Sequence, residues 1–343
     1  MKVFLSGLLI VVSSFQLVYS QPQAVDKVQF FNDTSVLNAT IITNMNNIFS
    51  KRNKTGYTFP AIFAASLPDG TKVNDQIYLE LRGHMRKDYC YIPPIKVIFK
   101  NNKSSVMRSL KSLKLVNECK LNNLYDQYLL KEFMVYKIYN LLTDMSFHVR
   151  LLHLNLQDSA GKKKTITEHA FLLEDIKEVA KRNDCKEWGK SRVNTEATNR
   201  KQMTLVAIFE YMIGNTDWAV SVDHNTKLIV SDKDSSGRPY VVPYDFDYSG
   251  LVNTEYAVPD ERLELENVQQ RLYRGFPRTL LEVNEALDIF KEKKGQIYAL
   301  INNFDLLTSG SKKEMIYYLD GFYDSIKKTE DVKSIFIENA RMH

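Results

Sequence analysis

The stretch "RPYVVPYDFDYSG", residues 238–250, places two carboxylates, Asp245 and Asp247, two positions apart at the end of a β-rich run that Ser249-Gly250 then breaks. An apolar lead from Tyr240 to Pro243 argues against a fully solvated turn. Two acids held this close repel each other unless a cation sits between them. Carboxylate oxygens suit a divalent ion such as Mg²⁺, with a structural Ca²⁺ turn as the plainer alternative. Upstream, "YMIGNTDW" (211–218) ends an apolar helical run at Gly214 and leaves Asp217 in the loop just beyond it. The order of helix, Asp-bearing loop, β-hairpin and Asp-bearing strand end predicts that these acids meet at one rim of a small sheet.

Working outward, residues 57–120 alternate apolar and polar positions in "YTFPAIFAA", "QIYLELRG", "PIKVIFK" and "SLKLVNE", punctuated by Pro-Asp-Gly, Pro-Pro and Asn-Asn. This pattern predicts an antiparallel sheet. A helix follows in "YDQYLLKEFMVYKIYNLLT" after an Asp126 cap candidate. Two strands come next, "FHVRLLHLNL" and "TITEHAFLLED". Residues 21–56 are polar and Asn-rich and read as a lead-in with one short helix. A Lys-rich connector near 177–200 leads to the helix before Gly214, and 260–343 has a helical texture.

The 343 residues are 44% hydrophobic, enough for one large domain or two lobes, and 46 basic against 41 acidic residues leave a net charge of +5. That balance is too mild and too evenly spread to argue for nucleic-acid binding. The first residues, "MKVFLSGLLIVVSSFQLVYSQPQ", carry a short basic region, an apolar stretch and a small-residue pattern at Val18-Tyr19-Ser20. A cleaved leader over 1–20 and a secreted or periplasmic protein are expected. The stretch is shorter than the about 20 apolar residues a membrane span needs. Three cysteines, Cys90, Cys119 and Cys185, allow one disulfide and leave one thiol over. No histidine pair has helical zinc spacing, and no Gly-x-Ser-x-Gly elbow supports serine-hydrolase chemistry.

The pair "YMIGNTDW" and "RPYVVPYDFDYSG" resembles the signatures of the spore-coat CotH kinase family, atypical phosphotransferases that share this arrangement with HipA-type kinases. Upstream, in matching order, "ELRGHMR" resembles that family's Arg-Gly segment, "YLLKEFMVYKIYNLL" its glutamate-bearing helix and "HAFLLEDI" its strand into the hinge. The resemblance implies an α+β, two-lobed, protein-kinase-like fold. An antiparallel β N-lobe would span 57–176 and a mainly helical C-lobe 177–343. It implies transfer of the ATP γ-phosphoryl group, with Mg²⁺, to a hydroxyl, that of Ser or Thr of a protein. Asp217 corresponds to the catalytic aspartate and Asp245 to the metal aspartate. Asp247 is either a second metal ligand or an acid standing behind the first.

By the same resemblance a lysine on the sheet reaches the phosphates and pairs with a glutamate on the next helix. Glu132 is the glutamate, Lys114 the first choice of lysine and Lys96 the alternative. Arg82 would help hold the phosphates, and the backbone of Leu173, Glu174 and Asp175 would meet an adenine edge. Two departures stand out: Val222 occupies the position of a metal-binding asparagine, leaving Asp223 or Asn225 as substitutes, and no G-x-G-x-x-G loop is present. A non-catalytic binding or surface protein is the rival expectation.

Overall fold

A computed structural model describes residues 23–54, 56–83, 86–100, 105–189, 192–234 and 236–341. The expected leader over 1–20 lies outside the described residues. In chain order the elements are α1 (Lys27–Asn32), β1 (Leu37–Thr43), α2 (Met45–Ser50), β2 (Thr58–Ser66), β3 (Lys72–Leu81), α3 (Arg86–Tyr89), β4 (Ile95–Phe99) and β5 (Ser112–Asn117). There follow α4 (Asn123–Leu142), β6 (Val149–Asp158), β7 (Ile166–Leu173), α5 (Ile176–Arg182) and β8 (Cys185–Glu187). The chain continues with α6 (Arg200–Ile213), β9 (Thr226–Ser231), β10 (Tyr240–Pro243), α7 (Leu280–Asn302), α8 (Ser309–Ser325) and α9 (Thr329–Lys333).

Period-two patterning builds the β part. In β3, Val73, Ile77, Leu79 and Leu81 are buried while Lys72, Asn74, Gln76 and Tyr78 face out. In β2, Phe59, Ala61 and Phe63 do the same. Strands β2 to β5 pair antiparallel as their alternation predicts, and β6 and β7 form an antiparallel hairpin.

The fold expected from the resemblance is corrected at this point. The strands do not form an antiparallel lobe. They close into a seven-stranded mixed barrel in the order β1-β2-β3-β4-β5-β7-β6. Closure comes from β1, which runs parallel to β6 with Leu37 opposite Leu152 and Thr43 opposite Asp158. The residues responsible lie in the segment read as a polar lead-in, where Leu37, Ala39, Ile41 and Thr43 point inward, alternating with Asn38, Thr40 and the half-buried Ile42. Closing the ring leaves the β-sheet no exposed edge to pair, which an open sheet would have to protect.

Two large buried clusters result, beside a small one around Cys90, Cys119 and Tyr125. The barrel interior packs Ile41, Phe63, Leu79, Val97 and Leu152. The second cluster joins the outer faces of β6 and β7 to α4, α6, α7 and α8. Helix α4 starts one turn earlier than expected, capped by Asn122, whose side chain accepts from the Leu124 and Tyr125 amides. Asp126 sits in its first turn instead. Helix α6 is buried from Gln202 to Ile213 and stops at Gly214, which adopts φ +66° as a left-handed C-terminal cap. Among the described residues, no helix is long and apolar enough to cross a membrane.

Candidate functional site

Alternation places the barrel's contribution. Because Leu113 and Leu115 point into the barrel, Lys114 between them points out, beside Leu173 of β7 and Lys96 of β4. Its ammonium lies 4.1 Å from the centre of the Tyr244 ring. Burial pushes Lys114 down to about 8, helped by repulsion from Arg82 and opposed by Asp245. Lys96 takes a different course, standing 3.9 Å from Glu80 in an exposed ion pair.

The Tyr244–Tyr248 segment is anchored by its middle residue. Phe246 is fully buried, its ring 4.7 Å from that of Tyr136 and 5.6 Å from that of Phe209. Seating Phe246 in the core leaves Asp245 and Asp247 on either side of it. The Asp245 amide donates to the Tyr136 hydroxyl (2.8 Å), and its backbone adopts φ +68°, a left-handed conformation that aspartate tolerates better than most residues. Among the described residues no donor reaches the Asp245 carboxylate. Asp247 is buried and accepts from the Tyr256 hydroxyl (2.9 Å). Burial, then the negative charge of Asp245, pushes its carboxyl up to about 6, with Asp217 adding to the effect and Arg86 opposing it.

Asp217 reaches the same place from the other side. The Gly250 amide donates to the Gly214 carbonyl (3.1 Å) and the Leu251 amide to that of Ile213 (2.9 Å), tying the end of α6 to the segment after Asp247. A side chain at position 250 would overlap the Val268 carbonyl, so this approach requires glycine. Reciprocal backbone bonds between Ala219 and His224 then fold the loop back. His224 Nε2 lies 2.7 Å from one Asp217 oxygen, and the Asn225 amide donates to the other (2.9 Å) and to the Asp217 carbonyl (2.8 Å). Arg274 braces the loop by donating to the Thr216 and Trp218 carbonyls.

The expected pairing of Lys114 with Glu132 is not formed: no ion pair within 4 Å joins them. Glu132, one helical turn before Tyr136 on α4, is 3% exposed, and one of its oxygens has no hydrogen-bond partner. Burial holds its carboxyl well above the usual range, reinforced by Asp247 and Asp245 and opposed by Arg86. Arg86 is therefore the cation on this side. It donates to the Asn117 carbonyl (2.9 Å) and touches Cys90, whose disulfide to Cys119 joins the end of α3 to the β5–α4 junction. Burial works against the Arg86 charge, while Tyr256, Asp247, Glu132 and Asp245 together hold it protonated. Arg82 donates to the Ile95 and Leu115 carbonyls, and burial lowers it against the pull of Asp245.

Part of the expected hinge backbone, at Leu173 and the Glu174 amide, is engaged elsewhere. Leu173 pairs with Lys114 and Val149 in the sheet, and the Glu174 amide donates to the His148 carbonyl (3.0 Å). The Glu174 carboxylate binds Arg182 and the His148 amide, while Asp175 caps α5. Val222 is 54% exposed and holds no ligand atom. Asn225 takes its place beside Asp217, and its carbonyl accepts from the Tyr244 amide (3.0 Å), linking the two acid-bearing segments.

Sequence reasoning missed Arg86 and His224, which become neighbours of the acids only through folding. It also missed a second group, in which Glu118, Asp126 and His169 bring ligand atoms within 4.8 Å of one another. There His169 Nδ1 is 2.6 Å from Asp126, so one imidazole nitrogen is already engaged by that carboxylate.

Compared with protein-family models and with curated proteins, the chain matches none.

Proposed function

We propose that this site transfers the γ-phosphoryl group of ATP to a hydroxyl. The observation carrying this reading is the Asp245 carboxylate, which has no hydrogen bond and lies in the field of both Asp247 and the Lys114–Arg82 pair. Acids short of a cation beside cations short of an anion suit a metal-bound polyphosphate on both counts. Strained backbone supports it: Asp223, Asn225 and Asp245 are three of the seven non-glycine residues with positive φ among those described.

The donor set fits Mg²⁺, offering carboxylate oxygens from Asp245 and Asp247 and the amide oxygen of Asn225. When bound, that ion would neutralise phosphate charge. Lys114 and Arg82 face the same anion from the barrel. Asp217 is held by His224 and Asn225 and accepts the proton of the acceptor hydroxyl as its oxygen bonds to phosphorus. The bond between the γ-phosphorus and the bridging oxygen breaks, ADP leaves with that electron pair, and the proton remains on Asp217. Expression across a membrane and an acceptor on a protein remain part of this reading.

The test is transfer from labelled ATP in the presence of Mg²⁺. Asp217→Asn and Asp245→Asn should each lower the rate by about 10²–10⁴-fold. Full activity in either variant would overturn the proposal. The engaged hinge groups favour one rival, a binding protein without catalysis. Nucleotide binding with no transfer to any hydroxyl would support it.

A further inference from the structure

Next to Asp217 the surface opens into a pocket of 760 Å³, within the about 300–1,000 Å³ range of ligand sites. Its walls carry three arginines, Arg262, Arg274 and Arg341, with Asp217 and Asp260 as the acids. Arg274 is fixed by the two loop carbonyls it bonds, and the Arg341 backbone is fixed by its amide bond to the Gly275 carbonyl (2.9 Å). Arg262 pairs with Asp260 on the open side, where its side chain is 87% exposed. Val258, 69% exposed, and Val222, 54% exposed, add apolar surface to the lining. Resting on the phosphotransfer reading above, we infer that this pocket takes the acceptor as a polypeptide segment whose serine or threonine is flanked by aspartate or glutamate.

The charge pattern selects this occupant. Guanidiniums bind carboxylates in a bidentate fork, and three of them around one opening repel a basic segment. Burial lowers Arg274 and the neighbouring Arg341 charge adds to this, which an arriving carboxylate relieves. The exposed valines give the segment's apolar neighbours a surface to cover. Asp217, which lines the pocket, sets the place at which the hydroxyl must lie.

The experiment uses the full chain with Mg²⁺ and labelled ATP and two peptides that share a central serine and flanking valines. One carries glutamates around the serine and the other lysines. The glutamate peptide should show a kcat/KM about tenfold higher, as expected for two or three exposed ion pairs. Arg262→Glu combined with Arg341→Glu should erase or invert that ratio, and Arg262→Gln alone should narrow it. Thermal unfolding verifies that each variant is folded. Equal rates, or a preference for lysine, would overturn this inference while leaving phosphotransfer standing. Calorimetric binding of Mg²⁺·ATP without transfer to either peptide would also overturn it. Absence of nucleotide binding would instead overturn the phosphotransfer reading, and this inference with it.

Discussion

The barrel and the acid-bearing junction beside it differ in how they treat their carboxylates. At the barrel's end the buried Asp75 carboxylate receives the Ser105 hydroxyl and the amides of Val106 and Met107. Arg150, 2% exposed, donates from its terminal nitrogens to Asp33 and to the Phe30 carbonyl, with its Nε left unpaired. At the junction an oxygen of Glu132 and both oxygens of Glu210 lack partners, and the half-buried Asp245 carboxylate accepts no hydrogen bond from a described residue. Buried polar atoms left unpaired are destabilising, so a fold retains them where something else is gained. The contrast separates a region that holds the chain together from one that keeps charge ready for an incoming ion.

The largest effect that would test this contrast is in the barrel. Phe63→Ala should lower unfolding free energy by about 3–5 kcal/mol in urea titrations. Asp245→Asn, in which asparagine keeps the left-handed backbone, should leave the urea midpoint unchanged or raise it. A drop in stability for Asp245→Asn comparable to that for Phe63→Ala would erase the distinction.

Glu210 sharpens it further. It sits at the end of α6 beneath the Asp217 loop, 1% exposed. Burial pushes its carboxyl from the ordinary 4.5 up to about 8, with Asn215 and Arg274 pulling the other way and Asp217 adding to the rise. The folded chain therefore keeps this proton at pH values where the unfolded chain has released it. Its contribution is greatest below about pH 4.5 and is lost as pH rises toward about 8. The difference between pH 5 and pH 8 should be on the order of 3 kcal/mol, and Glu210→Gln should flatten that slope. An unchanged slope in the variant would show that Glu210 is ionised in the fold.

The smallest effect is metal binding itself. Mg²⁺ at ten times its Kd should stabilise the chain by about 1.4 kcal/mol in thermal melts, and a chelator should reverse this. Asp245→Asn should lose the response, and Phe63→Ala should keep it at its lower melting temperature.

Much of this was legible in the sequence. Strands β2 to β5 showed in their alternation, and α6 with its glycine stop showed in an apolar run ending at Gly214. Element order also pointed to the neighbourhood in which the charges of Asp245 and Asp217 act on Asp247. What stayed hidden depended on distance along the chain. Strand β1 lay inside an Asn-rich stretch, and no local signal announces a parallel partner more than a hundred residues away. The Lys114–Glu132 expectation failed geometrically because Arg86, carried in on the segment that the Cys90–Cys119 disulfide fastens, faces Glu132 instead. His224 was invisible as a partner because a short turn with Asp223 and Asn225 at positive φ delivers its ring to Asp217.

The parallel seam between β1 and β6 also dictates a schedule. Leu37 has no sheet partner on that side until Leu152 exists as folded strand, so the ring cannot shut while the chain is still short. Folding must hold the first strand in waiting on β2 alone, and the late, long-range docking of β6 should set the pace of maturation.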